Sequence, residues 1–237
     1  MTKIKLIPSY KPSYLSSNLP RLLHSQKPFI IPQAFLHMPA VSLWPSPNYL
    51  LRFSDHRIQI EVSSHNSPGY GERHESSLGE LITLLQQSLP YRVYLAQFPL
   101  VEQIPQLKED VKSEMVESIL REGELYSTAT WIGRQSLTPL HHDPRALTNL
   151  FVEISGQKEF RLFDPSVKRD KLRVGEGTMG NTSSVDVWKE DIGEGWEGTV
   201  KAGDGLVIPR GWWHSVRSKG DEINMSVNWW FKLKDQA

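Results

Sequence analysis

The chain has 237 residues, with 27 Lys+Arg balanced by 27 Asp+Glu, so its formal net charge is zero with histidine neutral. That length suits one β-rich domain with embellishments, or at most two small ones, and the charge balance excludes a globally basic nucleic-acid footprint. There is no cysteine, which excludes disulfides, iron–sulfur clusters and thiolate zinc sites and fits a reducing compartment. No run of ~18 apolar residues is present, so no membrane span is expected. The first eight residues lack a long apolar core, so no signal peptide is expected, and an intracellular location, cytoplasmic and/or nuclear, follows as the expectation.

In chain order, residues 1–26 are polar, carry Pro8, Pro12 and Pro20, and read as an N-terminal extension with a short helix at 19–25. Residues 27–32 form a short apolar strand, and Leu50-Leu51-Arg52-Phe53 ends a brief helix. Residues 57–62 alternate polar and apolar, the pattern of a half-buried strand. Residues 63–76 read as a polar loop with turn chemistry. Ser76 or Ser77 caps a helix whose apolar face, Leu78, Leu81, Ile82 and Leu85, has helical spacing. A strand is expected at 91–97, a helix at 111–121, and a β-branched and aromatic strand at 127–132. Residues 147–154 read as a strand that a turn at Gly156-Gln157 joins to a second strand at 158–163. Residues 164–198, rich in Gly, Asp and Lys, read as a long excursion between core strands. A turn and short apolar strand at 203–209 deliver Gly211-Trp212-Trp213-His214, and the last strand spans 223–231. Many short strands and a few helices near the N-terminus predict a mainly β fold, a double-sheet jelly roll (double-stranded β-helix, cupin-like). It is expected as a single domain over 1–237 with its core at about 27–233.

The most informative stretch is Thr138-Pro139-Leu140-His141-His142-Asp143-Pro144, answered far downstream by Trp212-Trp213-His214. On an extended strand successive side chains alternate faces. His141 and Asp143 therefore aim an imidazole and a carboxylate into one space, and His142 turns the other way. His214 supplies the third ligand from a distant strand. Two histidines and one carboxylate on one face leave three octahedral positions open, the signature of non-haem Fe(II) oxygenases. The mouth of the barrel is the expected place for such a site.

The run Thr-Pro-Leu-His-x-Asp-Pro, Asn149, the Gly-x-Lys at 156–158, the Ile-Pro-x-Gly-Trp-Trp-His block and Ser226-Val227-Asn228-Trp229-Trp230 together resemble the JmjC (jumonji C) oxygenases. Lys27-Pro28-Phe29-Ile30-Ile31 with Met38-Pro39-Ala40 and Trp44 is similar to the opening of the small JmjC hydroxylases. Tyr94-Leu95-Ala96-Gln97, Gln103-Ile104-Pro105-Gln106-Leu107 and Asn181-Thr182-Ser183-Ser184-Val185-Asp186 are similar to the arginyl-hydroxylase branch. The resemblance covers about 27–233. It implies that His141, Asp143 and His214 hold Fe(II), and that Lys158 pairs with the distal carboxylate of 2-oxoglutarate. It implies further that Thr138 hydrogen-bonds the same carboxylate, that Tyr94 and Asn149 line the cosubstrate pocket, and that Asn228 and Trp230 lie near iron and cosubstrate. Glu61 and Trp131 match positions that face the substrate side chain in the arginyl-hydroxylase branch. Arg145-Ala146-Leu147-Thr148 makes the spacing before Asn149 about two residues longer than expected of close relatives.

The chemistry suits those residue types. A buried ammonium needs a counter-charge, and a dicarboxylate provides one. Hydroxyl donors such as Thr138 and Tyr94 bind a charged acceptor more strongly than a neutral one. A glutamate with an aromatic face suits a guanidinium. Trp212, Trp213, Trp229 and Trp230 are expected to wall the pocket. The leading expectation is a dioxygenase that uses Fe(II), 2-oxoglutarate and O2 to hydroxylate a protein or peptide side chain such as arginine. A JmjC demethylase or tRNA-base hydroxylase with the same cofactors, and a non-catalytic JmjC-fold binding module, remain open alternatives. No C-terminal helical pair follows the last strand, so a monomer is expected.

Overall fold

The computed structural model describes residues 4–65, 67, 71–144, 146–177 and 180–234. Parts of four sequence expectations lie outside the described residues: positions 1–3 of the N-terminal extension, 66 and 68–70 of the polar loop, Arg145 of the longer spacing before Asn149, and 178–179 of the excursion.

The strands are β1 (Ile4–Leu6), β2 (Phe29–Ile31), β3 (Arg57–Ser64), β4 (Glu72–Ser77), β5 (Tyr91–Phe98), β6 (Gly123–Gly133), β7 (Leu137–His142), β8 (Thr148–Ser155), β9 (Gln157–Phe163), β10 (Gly195–Lys201), β11 (Gly205–Ile208), β12 (Trp213–Ser218) and β13 (Asn224–Leu233). The helices are α1 (Pro12–His24), α2 (Pro39–Leu43), α3 (Pro47–Leu50), α4 (Leu78–Leu85), α5 (Leu100–Gln103), α6 (Pro105–Asp110), α7 (Glu114–Leu120) and α8 (Arg169–Leu172). A five-stranded sheet has the order β1-β10-β9-β12-β7, and an eight-stranded sheet the order β2-β11-β8-β13-β6-β5-β3-β4. Nearly all pairings are antiparallel, with β1 parallel to β10. Two facing antiparallel sheets with chain crossings between them make the expected mainly β jelly roll.

Strand β8 shows how the layers form. Leu150, Val152 and Ile154 join the large cluster that also contains Leu15 and Leu19 of α1, Leu78 and Leu81 of α4, and Val227, Trp229 and Phe231 of β13. Phe151, one step out of phase, packs between the sheets with Phe160, Leu162, Leu206 and Ile208. Period-2 alternation thus splits one strand between a helix-covered outer face and a barrel interior, and a strand buried on both sides reads as a continuous apolar run. The turn after β8 has Gly156 at φ +78°, where an added Cβ would meet the Asn224 side chain at 2.9 Å. The turn joins two strands as the sequence predicts; β8 lies in the large sheet and β9 in the small one, so the turn carries the chain across the barrel rather than back along one sheet.

Four expectations are corrected. The helix expected at 19–25 spans Pro12–His24, with Pro at its first turn and Leu15, Leu19, Leu22 and Leu23 buried. With β1 paired to β10, the N-terminal stretch is built into the fold rather than appended to it. The loop expected at 63–76 contains β4, which pairs with β3 from Arg57↔Ser77 to Val62↔Glu72. The excursion at 164–198 ends inside β10. Ser77 is the cap of α4: its side chain accepts from Glu80 N–H at 3.2 Å and Glu80 accepts from Ser77 N–H at 3.0 Å.

Asp110, at the end of α6, is buried and anchors the helical layer. Its carboxylate accepts from Trp44 Nε1 at 3.0 Å and Tyr49 hydroxyl at 2.6 Å. Asp110→Ala leaves the fully buried Trp44 N–H without a partner. The expected destabilisation is about 2–4 kcal/mol, read as a lower denaturant midpoint at unchanged slope.

Candidate active site

Between the sheets lies a narrow cavity lined from both. On its small-sheet side, β12 pairs with β7 so that His214 stands opposite His141, with ring centroids 4.2 Å apart. Asp143 follows directly after β7, its Oδ2 3.8 Å from His214 Nε2. One donor atom from each of His141, Asp143 and His214 can be chosen so that all three lie within 4.8 Å of one another, and no other group of metal-binding residues occurs among the described residues. His142 turns outward, its ring edge-on to Trp213 at 4.7 Å, as strand alternation requires.

The backbone sets the tautomers. His141 Nδ1 lies 2.9 Å from Pro139 carbonyl oxygen, and His214 Nδ1 3.2 Å from Trp212 carbonyl oxygen. A carbonyl only accepts, so each Nδ1 carries the hydrogen and each Nε2 lone pair is left free. Burial, with His141 beside it, pushes His214 down to about 4, so this imidazole is neutral at physiological pH. Burial opposes ionisation of Asp143, but the two imidazoles and the Asn149 amide outweigh it and hold the carboxyl below its ordinary value. Two imidazole nitrogen donors and one carboxylate fit a divalent transition metal. Behind them, Asn149 Nδ2 donates to Asp143 Oδ2 at 3.0 Å, and Asn228 Nδ2 donates to Asn149 Oδ1 at 2.8 Å. This relay from β8 and β13 fixes the carboxylate as outer-shell partners of metal ligands do.

Thr138 reaches the same cavity for a reason the sequence hides. Between the pairs His214↔His141 and Val216↔Thr138, one residue of β12 (Ser215) opposes two of β7 (Pro139 and Leu140), so a bulge at Pro139-Leu140 resets the alternation. Without it Thr138 would share the outer face with His142. Proline is tolerated there because β7 is an edge strand of the small sheet; residues 181–183 close that edge, with His142 N–H on Asn181 carbonyl and Ser183 N–H on Leu140 carbonyl.

Lys158 is 2% exposed. Among the described residues its ammonium donates one hydrogen bond, to Ser226 hydroxyl at 2.9 Å. Its other neighbours are ring faces, Phe151 at 5.3 Å and Tyr94 at 6.0 Å. A buried ammonium with one hydroxyl acceptor fits an anion at that end of the cavity. Tyr94 also meets Trp131 at 5.8 Å, and both line the cavity with Asn228 and Trp230.

Glu61 is the predicted site residue that does not line the cavity. It stands across from Tyr94 in the β3–β5 pair and takes Arg73 at 3.4 Å, and burial raises its carboxyl above the ordinary value. Of the four tryptophans expected to wall the pocket, only Trp230 does. Trp229 falls on the opposite face of β13 among the helices, Trp213 packs with Leu140 and Phe163 outside the barrel, and Trp212 packs with the interior apolar cluster. Adjacent tryptophans on a strand cannot share a face. Two buried groups beside Lys158 and its strand partner were overlooked, Ser226 as the hydrogen-bond acceptor of Lys158 and the fully buried Glu153 opposite Ser226; a charged residue inside the apolar run Leu-Phe-Val-Glu-Ile was the available signal for the latter.

The family model described as "Cupin-like domain" matches residues 17–237. The chain is 30% identical over 224 residues to Lysine-specific demethylase JMJ30 of Arabidopsis thaliana, covering 89% of this chain and 51% of that protein. It is 28% identical over 219 residues to Lysine-specific demethylase 8 of Xenopus tropicalis, with 87% and 48% covered. It is 26% identical over 221 residues to Jumonji C domain-containing protein 5 of Drosophila melanogaster, with 86% and 54% covered. The chain therefore spans about half the length of the curated relatives it matches, and no helix among its described residues is long and apolar enough to cross a membrane. A jelly roll that matches this family over nearly its whole length, and that brings two imidazoles and a carboxylate together at the end of one strand pair, belongs to the cupin-like JmjC family of 2-oxoglutarate-dependent oxygenases.

Proposed function

We propose that this chain is an Fe(II)- and 2-oxoglutarate-dependent dioxygenase that hydroxylates a protein side chain, with arginine as the favoured target. The supporting observation is the pairing, in one cavity, of the His141–Asp143–His214 cluster with the isolated Lys158 ammonium. In this reading His141 Nε2, His214 Nε2 and an Asp143 oxygen hold the metal. Lys158 takes the distal carboxylate of the cosubstrate, with Thr138 and the Tyr94 hydroxyl as further donors. Asn149 and Asn228 orient Asp143, and Trp230 and Phe151 exclude water. When bound, metal and cosubstrate supply oxidative decarboxylation, with O2 giving succinate, carbon dioxide and one oxygen atom for the substrate C–H bond; the protein supplies placement.

Arginine is favoured because Glu61 already accepts a guanidinium, that of Arg73, beside the Tyr94–Trp131 aromatic pair. A substrate arginine reaching from the cavity mouth would present the same planar cation to that carboxylate, with the Tyr94 and Trp131 rings beside it. The relatives' names speak for methyl-lysine as the second reading. We take the chain to act as a monomer inside the cell, with residues 27–233 as its catalytic core.

Anaerobic titration with Fe(II) and 2-oxoglutarate tests the cofactor assignment: a weak visible charge-transfer band is expected from the wild type and not from His141→Ala. Folded wild-type protein that binds metal and shows no band would sink it. Incubation with arginine and methyl-lysine peptides, read by mass spectrometry, then separates the targets. Gain of one oxygen on arginine is expected; loss of a methyl group from lysine would replace hydroxylation by demethylation.

A further inference from the structure

Along its barrel face β8 carries Asn149, Phe151 and Glu153 in succession, since Leu150, Val152 and Ile154 occupy the helix-covered face. Glu153 is 0% exposed, and neither carboxylate oxygen has a hydrogen-bond partner among the described residues. Ser226 stands opposite Glu153 in the β8–β13 register, and it is the Ser226 hydroxyl that receives the Lys158 ammonium. An unpartnered acid from the large sheet and an ammonium from the small sheet therefore both adjoin Ser226 without forming an ion pair.

A carboxylate cannot stay ionised cheaply in such a place. Burial pushes Glu153 up to about 8, although Lys158 pulls the other way. Among the described residues no other charge offsets this. Strand β13 faces Glu153 with Ser226, and the turn before β11 adjoins its backbone through Gly203 and Asp204. Asp204, next in β11's turn, has its carboxylate on the backbone N–H groups of Gln33 and Lys201. Tyr94 of β5 offers a ring to Lys158.

Charge balance gives this arrangement a purpose. A divalent metal and a dianionic cosubstrate cancel, and Asp143 cancels Lys158. An ionised Glu153 would leave the closed site with one uncompensated negative charge and would compete with the cosubstrate for Lys158. We infer that Glu153 is the proton-holding partner of Lys158: held neutral, it leaves the ammonium free for a dicarboxylate, and where it is ionised it takes a proton from solvent as the dicarboxylate docks. The single proton gained by Glu153 is the whole exchange. This inference rests on the cosubstrate reading above.

Calorimetric titration of Mn(II)-loaded protein with 2-oxoglutarate, in buffer pairs of different ionisation enthalpy, tests it. Wild-type affinity is expected to fall about tenfold from pH 7 to pH 9, with about half a proton taken up per site at pH 8 beyond the uptake of Glu153→Gln. Glu153→Gln, which keeps the shape and removes the titration, is expected to hold its affinity level across that range. Equal slopes and equal uptake in the two proteins would overturn the role of Glu153 and leave the cosubstrate site standing. Absence of 2-oxoglutarate binding in both, with Mn(II) bound, would overturn the cosubstrate reading instead. A carbon-13 NMR titration of glutamate carboxyls in the wild type asks the question without a variant. One carboxyl titrating near 8 and moving higher with 2-oxoglutarate is expected; all glutamates titrating in the ordinary range would overturn the inference.

Discussion

Asp143→Ala is expected to lower affinity for a divalent transition metal by more than about 100-fold and to remove turnover with it. Losing an outer-shell partner of a metal ligand typically costs 10–100-fold, and Asp143 is itself the charged member of the cluster. Its removal leaves two neutral imidazoles, held with their Nε2 lone pairs outward by Pro139 and Trp212 carbonyls, and no anion to offset a dication. It also orphans the Asn149 amide. Two controls separate this from simple damage. Asn149→Ala keeps all three donors and is expected to weaken metal binding within the 10–100-fold outer-shell range. His142→Ala alters a histidine equally close in sequence but on the other face, against Trp213, and is expected to lower stability while metal affinity holds. Metal affinity measured by competition with a chromophoric chelator decides: wild-type affinity in Asp143→Ala, or a loss in His142→Ala as large as in Asp143→Ala, would refute the assigned cluster.

The fold was legible where one face of an element is wet. Residues 57–62 and 78–85 alternate or repeat with the period of their structure, and they form β3 and α4. Strand β4 was not legible, because Glu-Arg-His-Glu-Ser-Ser has no apolar residue at all; it is a strand through its ladder with β3 at the sheet edge, a tertiary cause that propensity does not carry. Strand β10 was hidden by glycines, which read as loop. They are required by packing: an added Cβ at Gly195 would meet the Phe163 ring at 2.6 Å, and one at Gly198 would meet Ile30 at 2.9 Å.

The candidate site divides in the same way. His141 and Asp143 could be put on one face by counting, and Lys158 could be singled out by its resemblance. Thr138 could not be placed by counting, because alternation from His141 puts it outside the barrel and only the β7 bulge returns it. The paired tryptophans misled for the opposite reason: composition suggested a wall of four, whereas alternation allows each pair one member per face. Glu153 was visible as a charge in an apolar strand, but its meaning depends on Lys158 arriving from the other sheet through the Gly156 turn.

That crossing makes Lys158 the second residue with a large expected effect. Lys158→Met keeps most of the stem volume and removes the charge. A hydrogen bond to a charged group contributes roughly 1.5–3 kcal/mol, so 2-oxoglutarate affinity is expected to fall about 10- to 150-fold in the metal-loaded protein, with metal affinity unchanged. Stability should move the other way from a typical core substitution. In the free protein the ammonium is buried against one hydroxyl and two ring faces, and replacing an imperfectly paired buried charge by an apolar side chain is often neutral or stabilising. The melting temperature of the free variant is therefore expected to be level with the wild type at pH 6–7. Above that range the sign changes. Glu153 has a raised pKa in the fold, so its contribution to stability is present below the ordinary carboxylate range and lost as pH rises towards about 8. Lys158 is the charge that restrains this shift. Without it, Glu153 titrates higher still, and Lys158→Met should lose stability more steeply than the wild type as pH rises above about 8. Adding Glu153→Gln should remove that slope. Lys158→Arg is not expected to restore binding, because a planar guanidinium needs room and acceptors that a 2% exposed site with a single hydroxyl lacks. Undiminished 2-oxoglutarate affinity in Lys158→Met would mean that the distal carboxylate docks elsewhere in the cavity.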